Sequence, residues 1–192
     1  MAFNVSDFKN AMAFDGARPN LFKVVFGTAA APGQFTPGDD FEMFCRATSI
    51  PGTTIGQVVV PYFGREVKFA GNRTFADWTV TVINDEDFKV RSVMEKWMNS
   101  INLHTANSRV GGGTGTKGYY STATVHQLSK STVGNTTRSY TFQQMFPTDL
   151  SEITLDWGDN DSIEEFTCTF AYDYWTANIG TLPESGGATI GS

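Results

Sequence analysis

Residues 53–74 read TTIGQVVVPYFGREVKFAGNRT. The run 55–60 is rich in β-branched residues, Pro61-Tyr62-Phe63-Gly64 carries turn chemistry, and 65–70 alternates in character. This pattern predicts a long β-hairpin. On its return strand Arg65, Val67 and Phe69 share one face, and Glu66, Lys68 and Ala70 share the other. A hairpin of this kind is wet on one side and packed on the other, so function turns on what the wet side looks at.

Upstream, 41–50 is expected to be a strand closed by Pro51-Gly52. Before it, 27–40 is a loop rich in Ala, Gly and Pro, and LFKVVF at 21–26 is a strand. In residues 1–19, Phe3, Val5, Phe8 and Met12 are spaced loosely like one helical face, and Gly16-Ala17-Arg18-Pro19 breaks the pattern. Four large apolar residues are many for a free end, which predicts an arm that docks on a neighbour.

Downstream, FADWTVTVI at 75–83 alternates Trp78, Val80 and Val82 against Asp77, Thr79 and Thr81, a half-buried strand. The period then changes. Asn84-Asp85-Glu86-Asp87 offers a cap and several carboxylates to the positive end of a helix. Val90, Met94, Trp97, Met98 and Ile101 recur at spacings of three and four, which predicts one amphipathic helix over 88–103 and no other. A loop at 105–118 follows. Further strands are expected at 119–128, 138–146 (ended by Pro147), 150–157 and 164–175. The expected architecture is mainly β: a β-sandwich or barrel of eight or nine strands with one flanking helix. Residues 1–176 read as one β domain with an N-terminal arm over about 1–18, and 177–192 as a flexible C-terminal tail.

Composition bounds the function. The chain has 192 residues, is 40% apolar and only 18% charged, and carries a net charge of −6. Such a chain lacks the clustered Lys and Arg that grip a phosphate backbone, although DNA could slide past it without sticking. The charge deficit, with 16 Phe, 6 Tyr and 4 Trp, suggests a surface largely covered by other subunits. No signal peptide and no membrane span are expected, and Cys45 and Cys168 read as reduced core thiols.

Catalytic and cofactor signals fail on context. Gly113-Thr114-Gly115-Thr116-Lys117-Gly118 has the letters of a dinucleotide fingerprint, but it follows a helix, precedes a strand and lacks the distal acid. His104 and His126 form no recognisable cluster with the cysteines. The turn holding Asp156, Asp159, Asp161, Glu164 and Glu165 lacks the spacing of a calcium loop. No enzyme activity, cofactor or metal is expected.

Several blocks carry a family resemblance. They are Ile50-Pro51-Gly52-Thr53-Thr54, Pro61 to Arg65, Arg73-Thr74-Phe75, and Trp78 to Phe88. Arg18-Pro19-Asn20-Leu21-Phe22 and Phe170-Ala171-Tyr172-Asp173-Tyr174-Trp175 join them. Over about residues 16–176 the chain resembles the tail tube proteins of contractile-tailed, T-even-like bacteriophages. The resemblance implies hexameric rings stacked into a hollow tube inside a contractile sheath, lined by a β-barrel to which each subunit gives four strands. It implies a virion component, assembled in the host cytoplasm, that conducts genomic DNA without specific binding. Its partners would be other copies of itself, the sheath protein, a baseplate tube-initiator and a tail terminator, with no membrane contact. The hairpin would supply half of each subunit's share of the wall, with Gln57, Val59, Glu66 and Lys68 facing the lumen. Phe3, Val5, Phe8, Met12 and Phe35 would lie at subunit or ring interfaces.

Geometry is compatible with that cargo. Twenty-four strands spaced about 4.8 Å and tilted about 40° close a wall about 48 Å across, and side chains reduce the bore to about 38 Å. Hydrated duplex DNA fits without being squeezed. A tube protein of a phage-like injection or secretion device, a tube-initiating baseplate protein and a monomeric ligand-binding barrel are the alternatives.

Overall fold

The structure is a computed structural model and describes residues 4–12, 16–27, 39–108, 118–130 and 135–179. In chain order its elements are α1 (Val5–Ala11), β1 (Phe22–Phe26), α2 (Asp39–Phe44), β2 (Cys45–Thr48), β3 (Thr53–Tyr62) and β4 (Arg65–Phe75). There follow β5 (Trp78–Ile83), α3 (Lys89–Ile101), β6 (Ser121–Leu128), β7 (Thr136–Leu150), β8 (Glu165–Ala171) and β9 (Tyr174–Ile179).

Two antiparallel layers enclose the core. One is ordered β1-β6-β7-β9, the other β2-β5-β8-β7. Trp78, Val80 and Val82 of β5 pair with Phe170, Cys168 and Phe166 of β8, so two apolar rows lie side by side. Val24, Phe26, Ala123, Val125 and Phe142 answer them from the other layer. Trp78 stacks on Phe142 with ring centres 4.6 Å apart, and Phe26 meets Phe170 at 5.8 Å. The Trp78 indole N–H donates to Thr48 Oγ1 at 2.9 Å, which satisfies the one polar atom this ring brings into the core. Burial also holds the Cys45 and Cys168 thiols protonated, pushing each up to about 12.

The strand β7 belongs to both layers. Its first half pairs with β6 and β9, and its second half pairs with β8. The sequence reading ends this strand before Pro147. Instead Pro147 sits opposite Phe170, next to a register shift, where the missing N–H is tolerated. Gln144 takes a left-handed conformation (φ 55°), which re-phases the strand so that Phe142 and Met145, three residues apart, are both buried.

Other boundaries also differ from expectation. Residues 39–44 form the helix α2 rather than the end of a loop and the start of the strand expected over 41–50, and Glu42 on it pairs with Lys23 at 2.5 Å. The segment 151–164, expected to begin with a strand, has none. The last strand breaks at 172–173 and resumes as β9, which runs to Ile179. The long helix forms as expected, with Val90, Met94 and Trp97 buried. Its cap comes from one turn back: Phe88 is left-handed and Asp85 Oδ1 accepts the Lys89 N–H at 2.9 Å. The helix α1 is short, capped by Asn4, whose Oδ1 accepts the Ser6 N–H, and it buries no residue.

Candidate functional site: an open hairpin

Outside the two layers stands the hairpin. Strands β3 and β4 pair only with each other among the described residues, as a separate two-stranded sheet. Their root is fixed. Phe75 meets Tyr172 and Trp175 at 6.0 and 6.3 Å, the Ala76 N–H donates to Gly52 O, and the Tyr172 hydroxyl donates to Ala76 O at 2.6 Å. From the root to the tip every residue of β3, and nearly every residue of β4, is exposed.

The tip is tighter than the four-residue turn read from sequence. Only Phe63 and Gly64 lie between the strands, both with positive φ (45° and 80°), the pattern of the primed hairpin turns. Glycine accepts that backbone freely, whereas a bulky aromatic is an outlier there. Phe63 is 92% exposed and stands edge-on to Tyr62 with ring centres 4.6 Å apart. A conformational cost is accepted in order to hold an aromatic pair in solvent.

Halfway down, one extra residue enters β4. Ile55 pairs with Arg73 and Gln57 with Ala70, so Gly71 and Asn72 together face Gly56. This bulge explains both glycines. A Cβ at Gly71 would lie 3.1 Å from the carbonyl carbon and oxygen of Gly56, tighter than most Cβ contacts, so the Gly56 backbone would have to give way.

Register decides the faces above the bulge. Val59 lies opposite Lys68, Pro61 opposite Glu66 and Gln57 opposite Ala70. Residues opposite each other point the same way, so Gln57, Val59, Glu66 and Lys68 share one exposed face. The other face carries Val58, Val60, Tyr62, Arg65, Val67 and Phe69. It is almost wholly apolar, and equally exposed. Two open backbone edges and a bare apolar face on one element are what a soluble monomer avoids.

Of the residues expected at interfaces, Val5 and Phe8 on α1 and Met12, its C-cap, are all exposed. Phe3 and Phe35 lie outside the described residues, as does most of the tail expected at 177–192. A second bare apolar surface has no counterpart in the sequence reading. In 151–164 Leu155 is 80% exposed, Ile163 is 71% exposed and Trp157 is completely exposed. The sequence reads 150–157 as a strand, but the ladder ends at Leu150 opposite Cys168, and no strand forms between there and the turn at Gly158.

Comparison with known proteins gives a consistent picture. A family model described as phage tail tube protein matches residues 7–178. The tail tube protein of Enterobacteria phage T4 is 35% identical over 161 residues, covering 84% of this chain and 91% of that protein. The tail tube protein of Serratia phage KSP90 is 26% identical over 170 residues, 88% of this chain and 93% of that protein. Among solved structures, the tube terminating cap of the anti-feeding prophage shares the fold with a TM-score of 0.63 at 16% identity, covering 88% of this chain and 94% of that one. A chain of the sheath-tube complex of an extracellular contractile injection system does so with a TM-score of 0.58 at 15% identity, covering 93% and 99%.

Proposed function

We infer that the open hairpin is a building element of a tube, because the chain belongs to the phage tail tube protein family. It is a structural protein of a contractile phage tail, and so a component of the virion. The relatives by sequence are phage proteins, while the injection-device structures are similar in fold alone.

In this reading six copies close into a ring, rings stack, and each hairpin pairs its open edges with neighbouring strands, so that no backbone edge remains unpaired. Two further strands per subunit complete the wall. Gln57, Val59, Glu66 and Lys68 face the bore, and the net charge of −6 favours a neutral-to-acidic lining that lets genomic DNA pass without sticking. The sheath protein surrounds the tube, a baseplate initiator starts it and a terminator caps it. Assembly takes place in the host cytoplasm.

One observation carries the reading: a two-stranded sheet of 10 and 11 residues per strand, anchored at its root and exposed on both faces and both edges. Purified protein seeded with its initiating complex should give hollow rods in negative-stain micrographs. Material that stays monomeric under those conditions would overturn the reading.

A further inference from the structure

The apolar hairpin face and the exposed apolar segment 151–164 are opposite in charge. On the apolar hairpin face Arg65 is the only charged residue, and residues 53–75 hold three cations (Arg65, Lys68, Arg73) against one anion (Glu66), a net +2. The segment 151–164 joining β7 to β8 holds five carboxylates (Glu152, Asp156, Asp159, Asp161, Glu164) and no Lys or Arg, a net −5. Internal hydrogen bonds shape this segment. Asp156 Oδ1 accepts the Gly158 N–H at 2.9 Å, closing the turn that presents Trp157. At the far end Glu164 Oε2 accepts from Asn84 Nδ2 at 2.9 Å. A fully exposed indole on a shaped turn is the type of side chain that anchors protein interfaces. Apolar centres with charges of opposite sign around them steer association and fix its register.

We propose that the apolar hairpin face of one copy docks on the 151–164 turn of a second copy, with Arg65 set among the carboxylates around Trp157. The surfaces differ and both lie on the same chain, so the contact is head-to-tail. Repetition of such a contact generates a closed ring or an open helix rather than a two-fold dimer. The proposal rests on the tube reading and supplies one of its contacts. It also separates the roles of the two hairpin faces, leaving Glu66 and Lys68 free to face the bore.

Charge reversal in two batches of protein tests this. Arg65→Glu alone, and Asp159→Arg with Asp161→Arg alone, should each cut seeded rod growth at least about tenfold relative to wild type. A mixture of the two proteins should grow rods again, because the anion placed at position 65 of one protein's hairpin then meets the cations placed at 159 and 161 beside Trp157 in the other, while the unchanged Arg65 meets an unchanged acidic turn. Restoration by mixing cannot come from repaired folding. Rods from the mixture but from neither batch alone establish the contact. A reversed protein that grows like wild type, or a mixture as inert as its components while wild type grows, overturns it. Wild type that forms no rods at all would instead defeat the tube reading.

Discussion

At the scale of single residues, Gly71 separates folding from assembly. A Cβ there would stand only 3.1 Å from the Gly56 backbone, yet Gly71 lies in a hairpin that contributes no residue to the core. Gly71→Val should therefore lower the unfolding free energy of the dispersed protein, read from urea titration, by no more than about 1 kcal/mol. Rod growth should fall sharply, since the bulge can no longer set the bend of β4. A large loss of stability with normal rods would contradict this division. Phe63 shows the same separation from the other side. It was legible in the sequence only as part of a turn; that it sits alone with Gly64 at the tip, in a left-handed backbone, depends on which pairs form below it.

At the scale of elements, the sequence was clearest where one face is buried by the chain itself. The alternation in β5 and β8 and the three-and-four spacing in α3 give those elements away because their own core selects the pattern. It was least clear where tertiary contact overrides local preference. Pro147 reads as a stop but lies inside β7 at a register shift, and 41–44 coils into α2 although it reads as extended. Apolar residues that the fold leaves exposed imitate a strand at 150–157, because sequence alone cannot tell which apolar side chains a chain buries within itself. The arm is left exposed in the same way. No residue of α1 is buried, and Val5 and Phe8 are 68% and 65% exposed, so removal of residues 1–15 should leave the melting curve nearly unchanged while slowing seeded rod growth. Normal growth by the truncated protein would show that the arm docks on nothing.

At the scale of the molecule, the polar hairpin face predicts how cargo moves. Glu66→Lys combined with Gln57→Lys adds three positive charges per copy on one exposed face, since an acid becomes a base and a neutral residue becomes one. Tubes should form, but DNA passage should slow or stall, and the effect should ease as salt screens the added attraction to phosphate. Infectivity equal to wild type from particles carrying both changes would refute the lining. The shared strand β7 bears on the mechanics of the same tube. Its 15 residues run unbroken from one layer into the other, so the layers are tied by covalent backbone as well as by side-chain packing. A load that tries to shear one layer over the other must stretch a chain already close to full extension, about 3.3 Å per residue. Thrust along a pipe built from such units is met by bonds rather than by grease, and the wall resists crumpling without needing a thicker core.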